Sequence, residues 1–419
     1  MQMKRHKYLV IGAGISGLAI ADRLANEDVC VLESEEEIGG YCRTIKKSGF
    51  VWDYSGHFFH FKNPDIEREL IQRMPYQEVA SVSRVSKIYW GDTLIDFPFQ
   101  KNIHQLPRED FIDCLHGLHF RSKKTPTNFL EMLEVKFGQG ITERFLAPYN
   151  KKLYAVDLSS LDVDAMGRFF PYADESEIIA NFRSRDNSNY NSNFIYPRGG
   201  AYEYVKAMSS RLTADQILAS EPVIKIDVKE KIVTTLSQKF CYDVLVNTSP
   251  FPNLLRMCGV TSQVQFSSNR VLVFNFGFDS KGPDGIHWIY YPQSEIVFYR
   301  IGFYDNIFES RQMSIYVEIG LPTGARLTDS EIRVYREKAL SDLRQVGVLK
   351  GQQLVAEHFL VMDPAYVHMT QDSLIETARL KKLLAAKNIF SIGRYGGWTY
   401  CSIEDNIIEA RALADILQW

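Results

Sequence analysis

The chain lacks most of the features that would announce a function at once. Its six cysteines, in 419 residues, form no CxxC pair; that excludes the usual zinc spacing and gives no sign of a disulfide framework. No stretch approaches the roughly 20 apolar residues of a membrane span. Charge of neither sign dominates: the net formal charge is −3, which argues against a broad nucleic-acid-binding face. An anionic ligand would have to meet a local group of arginines instead. There is no internal repeat, and the best low-complexity stretch, DNSNYNSN at 186–193, is short and reads as a mobile polar loop. The histidines are scattered apart from the near pairs His57/His60 and His116/His119, so no metal set is indicated, and no catalytic triad stands out. What remains is an ordinary globular composition, 45% hydrophobic and 24% charged, in a chain long enough for two or three domains.

The N-terminus, MQMKRHKYLVIGAGISGLAIA, is basic and then apolar, as a signal peptide would be. Its glycines have a better explanation, and the cytoplasm is the expected location. Tyr8–Ile11 is a short apolar run of the kind that forms a buried parallel strand. Gly12, Gly14 and Gly17 then make a GxGxxG turn, with Ser16 inside it, before a helix expected over Leu18–Asn26. The first glycine permits the tight turn, the second lets backbone approach a pyrophosphate, and the third lets helix and strand pack closely. A second strand, Val29–Leu32, ends at Glu33, about 20 residues after the first glycine and able to accept from a ribose hydroxyl. The alternative is a glycine-rich turn without a ligand. Strand, helix and acid in the right order favour binding of an ADP moiety.

Further on, SEEEIGGYCRT carries Gly39, Gly40 and Arg43. It resembles the extension of the fingerprint in the flavin-containing amine oxidase superfamily. Two glycines let the chain pass close to an extended cofactor, and Arg43 offers its fork to the pyrophosphate, or is an ordinary surface arginine. FVWDYSGHFFHF places Gly56 and His57 in an aromatic setting. Backbone at Gly56 suits a flat ring, and His57 is either a core histidine or flavin-facing.

The rest of the chain alternates between strand and helix patterns. Strands are expected in Val85–Phe97, Val223–Val228, Ile232–Leu236, Tyr242–Asn247, Arg270–Phe278, Ile286–Arg300, Met313–Ile319, Ala356–Val361 and Lys387–Ile392. Helices are expected over Glu109–Phe120, Thr127–Phe137 with Thr127 as N-cap, Tyr202–Leu212, Ser330–Val346 and Ser402–Leu417. The last strand leads into GRYGGWTY, a Gly–Arg turn before a helix, which repeats the device of the first motif and brings Gly393, Arg394, Glu404 and Asp405 back to the cofactor. The expected architecture is α/β. Residues 1–80, 195–255 and 385–419 form a discontinuous Rossmann-like FAD-binding domain of the GR2 type. Residues 81–194 form a mainly helical insertion, and 256–384 a mixed or antiparallel sheet with a helix for substrate.

Together these segments resemble UDP-galactopyranose mutase, more its eukaryotic-type branch than the common bacterial one. The specific matches are FPFQKNIHQLP, FLAPYNKKLYAV, FIYPRGGAYEYV, WIYYPQSEIVFYRIGF, AYVHM and GRYGGWTYCSIEDN. The resemblance implies that Asn150 and Tyr154 meet uridine or sugar. It also implies that Arg300 binds phosphate beside Tyr290, that Tyr366 contacts the diphosphate, and that Arg394 and Tyr400 stand between flavin and substrate. A second phosphate arginine falls near Arg168, about one residue out of register. Tyr154 replaces the usual tryptophan, and Ser-Gly-His replaces Gly-Gly-His. The activity implied interconverts pyranose and furanose forms of a UDP-galactose-like sugar through a reduced-flavin N5–sugar adduct, without net redox change, in cell-surface glycan synthesis. The implied cofactor is reduced FAD with NAD(P)H as candidate reductant, and the candidate assembly a homodimer. Residue by residue, the alternatives are a strand-edge ion pair for Arg300 and core packing for the tyrosines. An amine or protoporphyrinogen-type oxidase would share both glycine motifs but needs an apolar or aromatic cage. A flavin-binding scaffold would retain the fold alone.

Overall fold

The structure, a computed structural model, describes residues 3–187 and 192–418. The strand Lys4–Ile11 lies at the centre of a seven-stranded sheet. It pairs in parallel with Val29–Leu32 on one side and Lys239–Asn247 on the other. Ile217–Leu218 extends the parallel set beyond Val29–Leu32. Ile389–Ser391 runs parallel to the last residues of Lys239–Asn247, whose first residues instead pair with the antiparallel hairpin Val223–Asp227/Ile232–Thr235. Tyr8–Ile11 and Val29–Leu32 are buried throughout, as unbroken apolar runs must be when helices cover both faces. Ile15–Arg23, Tyr202–Ser209 and Ile403–Leu417 supply apolar residues to the core on one face. Phe251–Cys258 and Gln371–Ala385 do so on the other. The strand ends at Ile11, Leu32, Asn247 and Ser391 therefore meet along one edge, where α/β sheets bind ligands.

A second seven-stranded sheet has the order Leu354–Met362, Arg270–Phe278, Ser314–Leu321, Arg300–Phe303, Trp288–Tyr290, Ser86–Trp90, Thr93–Asp96. All neighbours are antiparallel except Trp288–Tyr290 with Ser86–Trp90. The amphipathic helix Asp329–Gln345 buries its apolar side with residues such as Leu272, Phe274 and Ile301 of this sheet. Ala147–Tyr154 packs from the opposite side so closely that a Cβ at Gly320 would sit 2.0 Å from the Lys152 carbonyl oxygen. Register then does the work of assembling a site. Tyr290 stands opposite Arg300, and Arg300 opposite Glu318, across three adjacent strands. Directly opposed residues share one face of a sheet.

Three local expectations need adjustment. Ile286–Arg300 is not one strand but two short ones, Trp288–Tyr290 and Arg300–Phe303, joined by a loop. Pro292, which cannot donate to a ladder, and the polar Gln293–Ser294–Glu295 interrupt the alternation. The helix Phe129–Ile141 is capped by Asn128, whose side chain accepts from the Glu131 N–H, and not by Thr127, whose hydroxyl donates to the Glu131 carboxylate. Of the polar stretch 186–193, residues 188–191 lie outside the described residues, while Asn193–Pro197 is a strand paired with Val79–Ser83. Among the described residues no helix is long and apolar enough to cross a membrane.

Candidate cofactor and substrate site

The edge of the first sheet is built mostly from backbone. Gly12 has φ +96°, and a Cβ at Gly17 would sit 1.9 Å from the Gly12 carbonyl oxygen, whereas one at Gly14 would meet nothing within 4 Å. Gly12 and Gly17 are thus glycines for packing, and Gly14 leaves open space where a diphosphate could approach. The second glycine loop lies directly on the first. Gly39 N–H donates to the Ala13 carbonyl at 2.8 Å, and Gly40, with φ +55°, faces Gly14. Glu33 is buried and accepts from the Ala13 and Glu35 amides at 2.7 and 3.0 Å. Arg43 donates to the Glu37 carbonyl, while its Nε is buried without a protein partner.

The end of the chain closes this edge. Ser16 donates to Asn406 Oδ1 at 3.0 Å, and the Arg394 amide donates to the same oxygen at 2.8 Å. Gly393, at φ +83°, fits so tightly that a Cβ would lie 2.3 Å from Ser16 Oγ. Asp405 caps its own helix with Ser402 and pairs with Arg168. Glu404 is buried and accepts from the Lys62 and Asn63 amides at 2.8 and 2.6 Å. Its carboxylate therefore ties down the chain ahead of the helix Pro64–Gln72.

Where the two sheets meet, arginines and tyrosines gather in one cluster. Arg300 makes a two-pronged pair with Glu318, through Nη2 to Oε1 at 2.8 Å and through Nε to Oε2. Ser55 also donates to Glu318. Burial works against the Arg300 charge, and Glu318 more than offsets it, so the guanidinium is held firmly charged. Arg394 is set among three rings, 4.5 Å from the Tyr400 centroid, 5.2 Å from Tyr366 and 5.9 Å from Tyr395, and its Nε is a buried orphan. Tyr366 and Tyr400 stack at 5.9 Å. Burial pushes the Tyr366 hydroxyl up, with Arg300 opposing, so it stays a proton donor. Tyr290 meets Tyr149 edge-on at 5.4 Å. His57 carries an unpartnered buried Nδ1. Burial, then the charges of Arg394 and Arg300, push its pKa down to about 4, so the ring is neutral near pH 7. Gly56 beside it leaves room for the Tyr316 hydroxyl, which a Cβ would approach to 2.2 Å.

Other expected residues sit further from this centre. Asn150 is buried, its Nδ2 donating to the Leu146 carbonyl at 2.7 Å while Oδ1 has no partner. Tyr154 is wholly buried; its hydroxyl donates to the Ala165 carbonyl at 3.2 Å, and its ring meets Tyr366 edge-on at 5.8 Å. Arg168, in a 3-10 turn at Gly167–Phe169, is bound to Asp405 and half exposed. Sequence reasoning missed four members of the cluster. Glu318 is visible only through strand register. Tyr149 and Tyr299 look like ordinary core aromatics in the sequence, and the Tyr299 hydroxyl is buried and unpartnered. Arg84 lies over the Phe97 and Trp288 rings at 5.3 and 5.5 Å. Burial, opposed by Tyr290 and reinforced by the Arg300 charge, pushes Arg84 down. Its only sequence signal is a lone arginine directly ahead of an alternating stretch.

The parallel sheet, glycine turn and strand-end acid define a Rossmann-type dinucleotide-binding protein, and residues 10–73 match the NAD(P)-binding Rossmann-like domain family. The whole chain superposes on reduced UDP-galactopyranose mutase with a TM-score of 0.90 at 24% identity, covering 99% of this chain and 95% of that one. A putative protoporphyrinogen oxidase from Exiguobacterium sp. 255-15 superposes with a TM-score of 0.77 at 15% identity, covering 100% and 99%. In sequence, UDP-galactopyranose mutase of Mycoplasma pneumoniae is 23% identical over 177 residues, 38% of this chain and 43% of that protein. Alignments with the curated relatives span less than half of each relative's length. The resemblance read from the sequence is thus borne out in the fold, which is that of the mutase.

Proposed function

We propose that the protein is an FAD-dependent mutase that interconverts pyranose and furanose forms of a nucleoside-diphosphate sugar. The observation that carries this reading is the cluster of charged and phenolic side chains. Arg300, Arg394 and Arg84 converge with tyrosines at the open edge of the dinucleotide-binding sheet, where an amine oxidase needs an apolar or aromatic cage. The open space at Gly14, the orphaned Nε of Arg43 and the orphaned Nδ1 of His57 fit a cofactor that runs from the glycine turn to the second sheet.

Bound reduced FAD supplies the nucleophile for the anomeric carbon, and the protein supplies position and charge. Arg300, aligned by Glu318, presents its guanidinium to a diphosphate that must leave and return without diffusing away. Because Glu318 neutralises part of that charge, the diphosphate is held without being trapped. The Tyr366 and Tyr400 hydroxyls donate to the same oxygens. Neutral His57 offers a hydrogen bond beside the cofactor without adding a further positive charge to those of Arg300, Arg394 and Arg84. Arg168, released from Asp405, would add a cation at the mouth.

The test is chromatography of UDP-galactose incubated with dithionite-reduced and with oxidised protein. Turnover to the furanose in the reduced sample alone is expected. No conversion of UDP-, dTDP- or GDP-sugars, together with oxygen-dependent peroxide release from an amine, would replace the mutase by an oxidase.

A further inference from the structure

Lys152 lies on the helix Ala147–Tyr154, one turn after Tyr149. Its ammonium is within hydrogen-bond distance of four main-chain carbonyls, those of Tyr291, Gln293, Ile296 and Phe298, at 2.9, 2.9, 2.8 and 2.6 Å. An ammonium has three N–H groups, so four oxygens share three protons in a cage that resembles the shell of a bound monovalent cation. All four oxygens belong to the loop that replaces the middle of the expected strand. That loop begins directly after Tyr290 and ends directly before Arg300, where the Tyr291 amide donates to the Tyr299 carbonyl at 2.9 Å.

The far side of the loop is pinned by the helix Asp329–Gln345. Asp342 accepts from the Val297 amide at 2.8 Å, and Lys338 donates to the Glu295 carbonyl at 2.8 Å. With the far side fixed, the Lys152 side remains the one that decides where Tyr290, Tyr299 and Arg300 sit. Tyr149, on the same helix, completes the contact, with its ring 5.4 Å from Tyr290 and 6.2 Å from Tyr299. Burial, opposed by the Glu295 and Asp342 carboxylates and reinforced by the Lys338 charge, pushes the Lys152 ammonium down to about 7. The four carbonyl oxygens, each turning its negative end to Nζ, act in the opposite sense and hold it charged.

We propose that Lys152 is a positioning residue of the arginine–tyrosine cluster: its ammonium gathers the carbonyls of the 291–298 loop and thereby sets Tyr290 and Arg300 against the diphosphate. The proposal deepens the mutase reading and rests on it for the identity of the ligand. The test uses the flavin-loaded protein and Lys152→Met, which keeps the length of the side chain and removes every donor. Hydrogen exchange of the 291–300 amides is expected to quicken at least tenfold. UDP affinity by calorimetry is expected to fall at least tenfold, with flavin retained. Lys152→Ala, which opens a void ending at the carbonyls, is expected to regain UDP affinity on addition of n-propylammonium, a rescue that a purely apolar packing role would not give. Unchanged exchange in Lys152→Met overturns the proposal whatever the ligand is. If wild-type protein binds no UDP, the mutase reading falls, and the exchange measurement still decides the role of Lys152. If Lys152→Met does not fold, Lys152→Gln, with two N–H donors left, reads the same exchange: quickening supports the proposal and wild-type rates overturn it.

Discussion

The two halves of the site are made in different ways. At the edge of the first sheet the ligand would meet main chain: a glycine turn, exposed amides and helix ends. Beside the second sheet it would meet side chains from several separated segments, of which Tyr290, Arg300 and Glu318 are aligned by strand register. A backbone site tolerates no added atom and depends little on charge. A side-chain site tolerates shape changes but fails when one charge loses its partner.

Gly17→Val breaks the first half outright. With 1.9 Å between a Cβ and the Gly12 carbonyl, the strand–helix junction must open, and protein purified without bound flavin, or no soluble protein, is expected from the absorption spectrum. Gly14→Ala sharpens the same point, because its Cβ meets nothing: the fold should survive with flavin affinity lowered about tenfold, read by flavin titration. Arg300→Ala is the matching break in the second half. UDP affinity should fall about 100-fold, roughly 3 kcal/mol, while flavin stays bound. Because Glu318 is only 1% exposed, melting should also drop in Arg300→Ala and recover in the double variant Arg300→Ala/Glu318→Gln. Unchanged UDP binding would remove Arg300 from the site.

Acid sharpens the contrast further. Burial first, with nearby arginines adding to it, pushes His57 and His60 down to about 4 each. A histidine whose folded pKa lies below the free value of about 6.5 contributes stability that is complete above that value and drains as pH falls towards 4. Each is partly exposed, so the loss is on the order of 1–2 kcal/mol per ring. Denaturant melts at pH 7 and 4.5 should show it, and His57→Asn should lessen it. The smallest effect is expected at Tyr154→Phe, which removes one hydrogen bond to Ala165. Stability should fall about 1 kcal/mol, with UDP affinity within twofold of wild type; a large affinity loss would move Tyr154 into the site.

The same contrast explains what could be read from the chain alone. Gly12, Gly14, Gly17 and Glu33 act within some twenty residues of one another, so spacing reveals them. The parallel strands were equally plain, because burial on both faces leaves unbroken apolar runs. Arg300 was reached through a family resemblance, and nothing local distinguishes it from an arginine ending a strand. Its partner Glu318 depends on which residue faces it across a ladder, and Arg84 on a strand that arrives from another part of the chain. The segment after Tyr290 fits a strand pattern on either side of Pro292, and the lysine about 140 residues earlier that gathers the intervening loop lies beyond any local pattern. Thr127 is a plausible cap by type, but Asn128, the stronger N-cap residue, holds the helix start.

The contact of Gly393 and Asn406 with Ser16 has a consequence for how the protein is made. The cradle opened by Gly12–Gly17 is not closed until Gly393 and Asn406 are in place. A nascent chain that stops before Ile403 is therefore expected to retain no nucleotide, as absorption spectra of such a fragment would read.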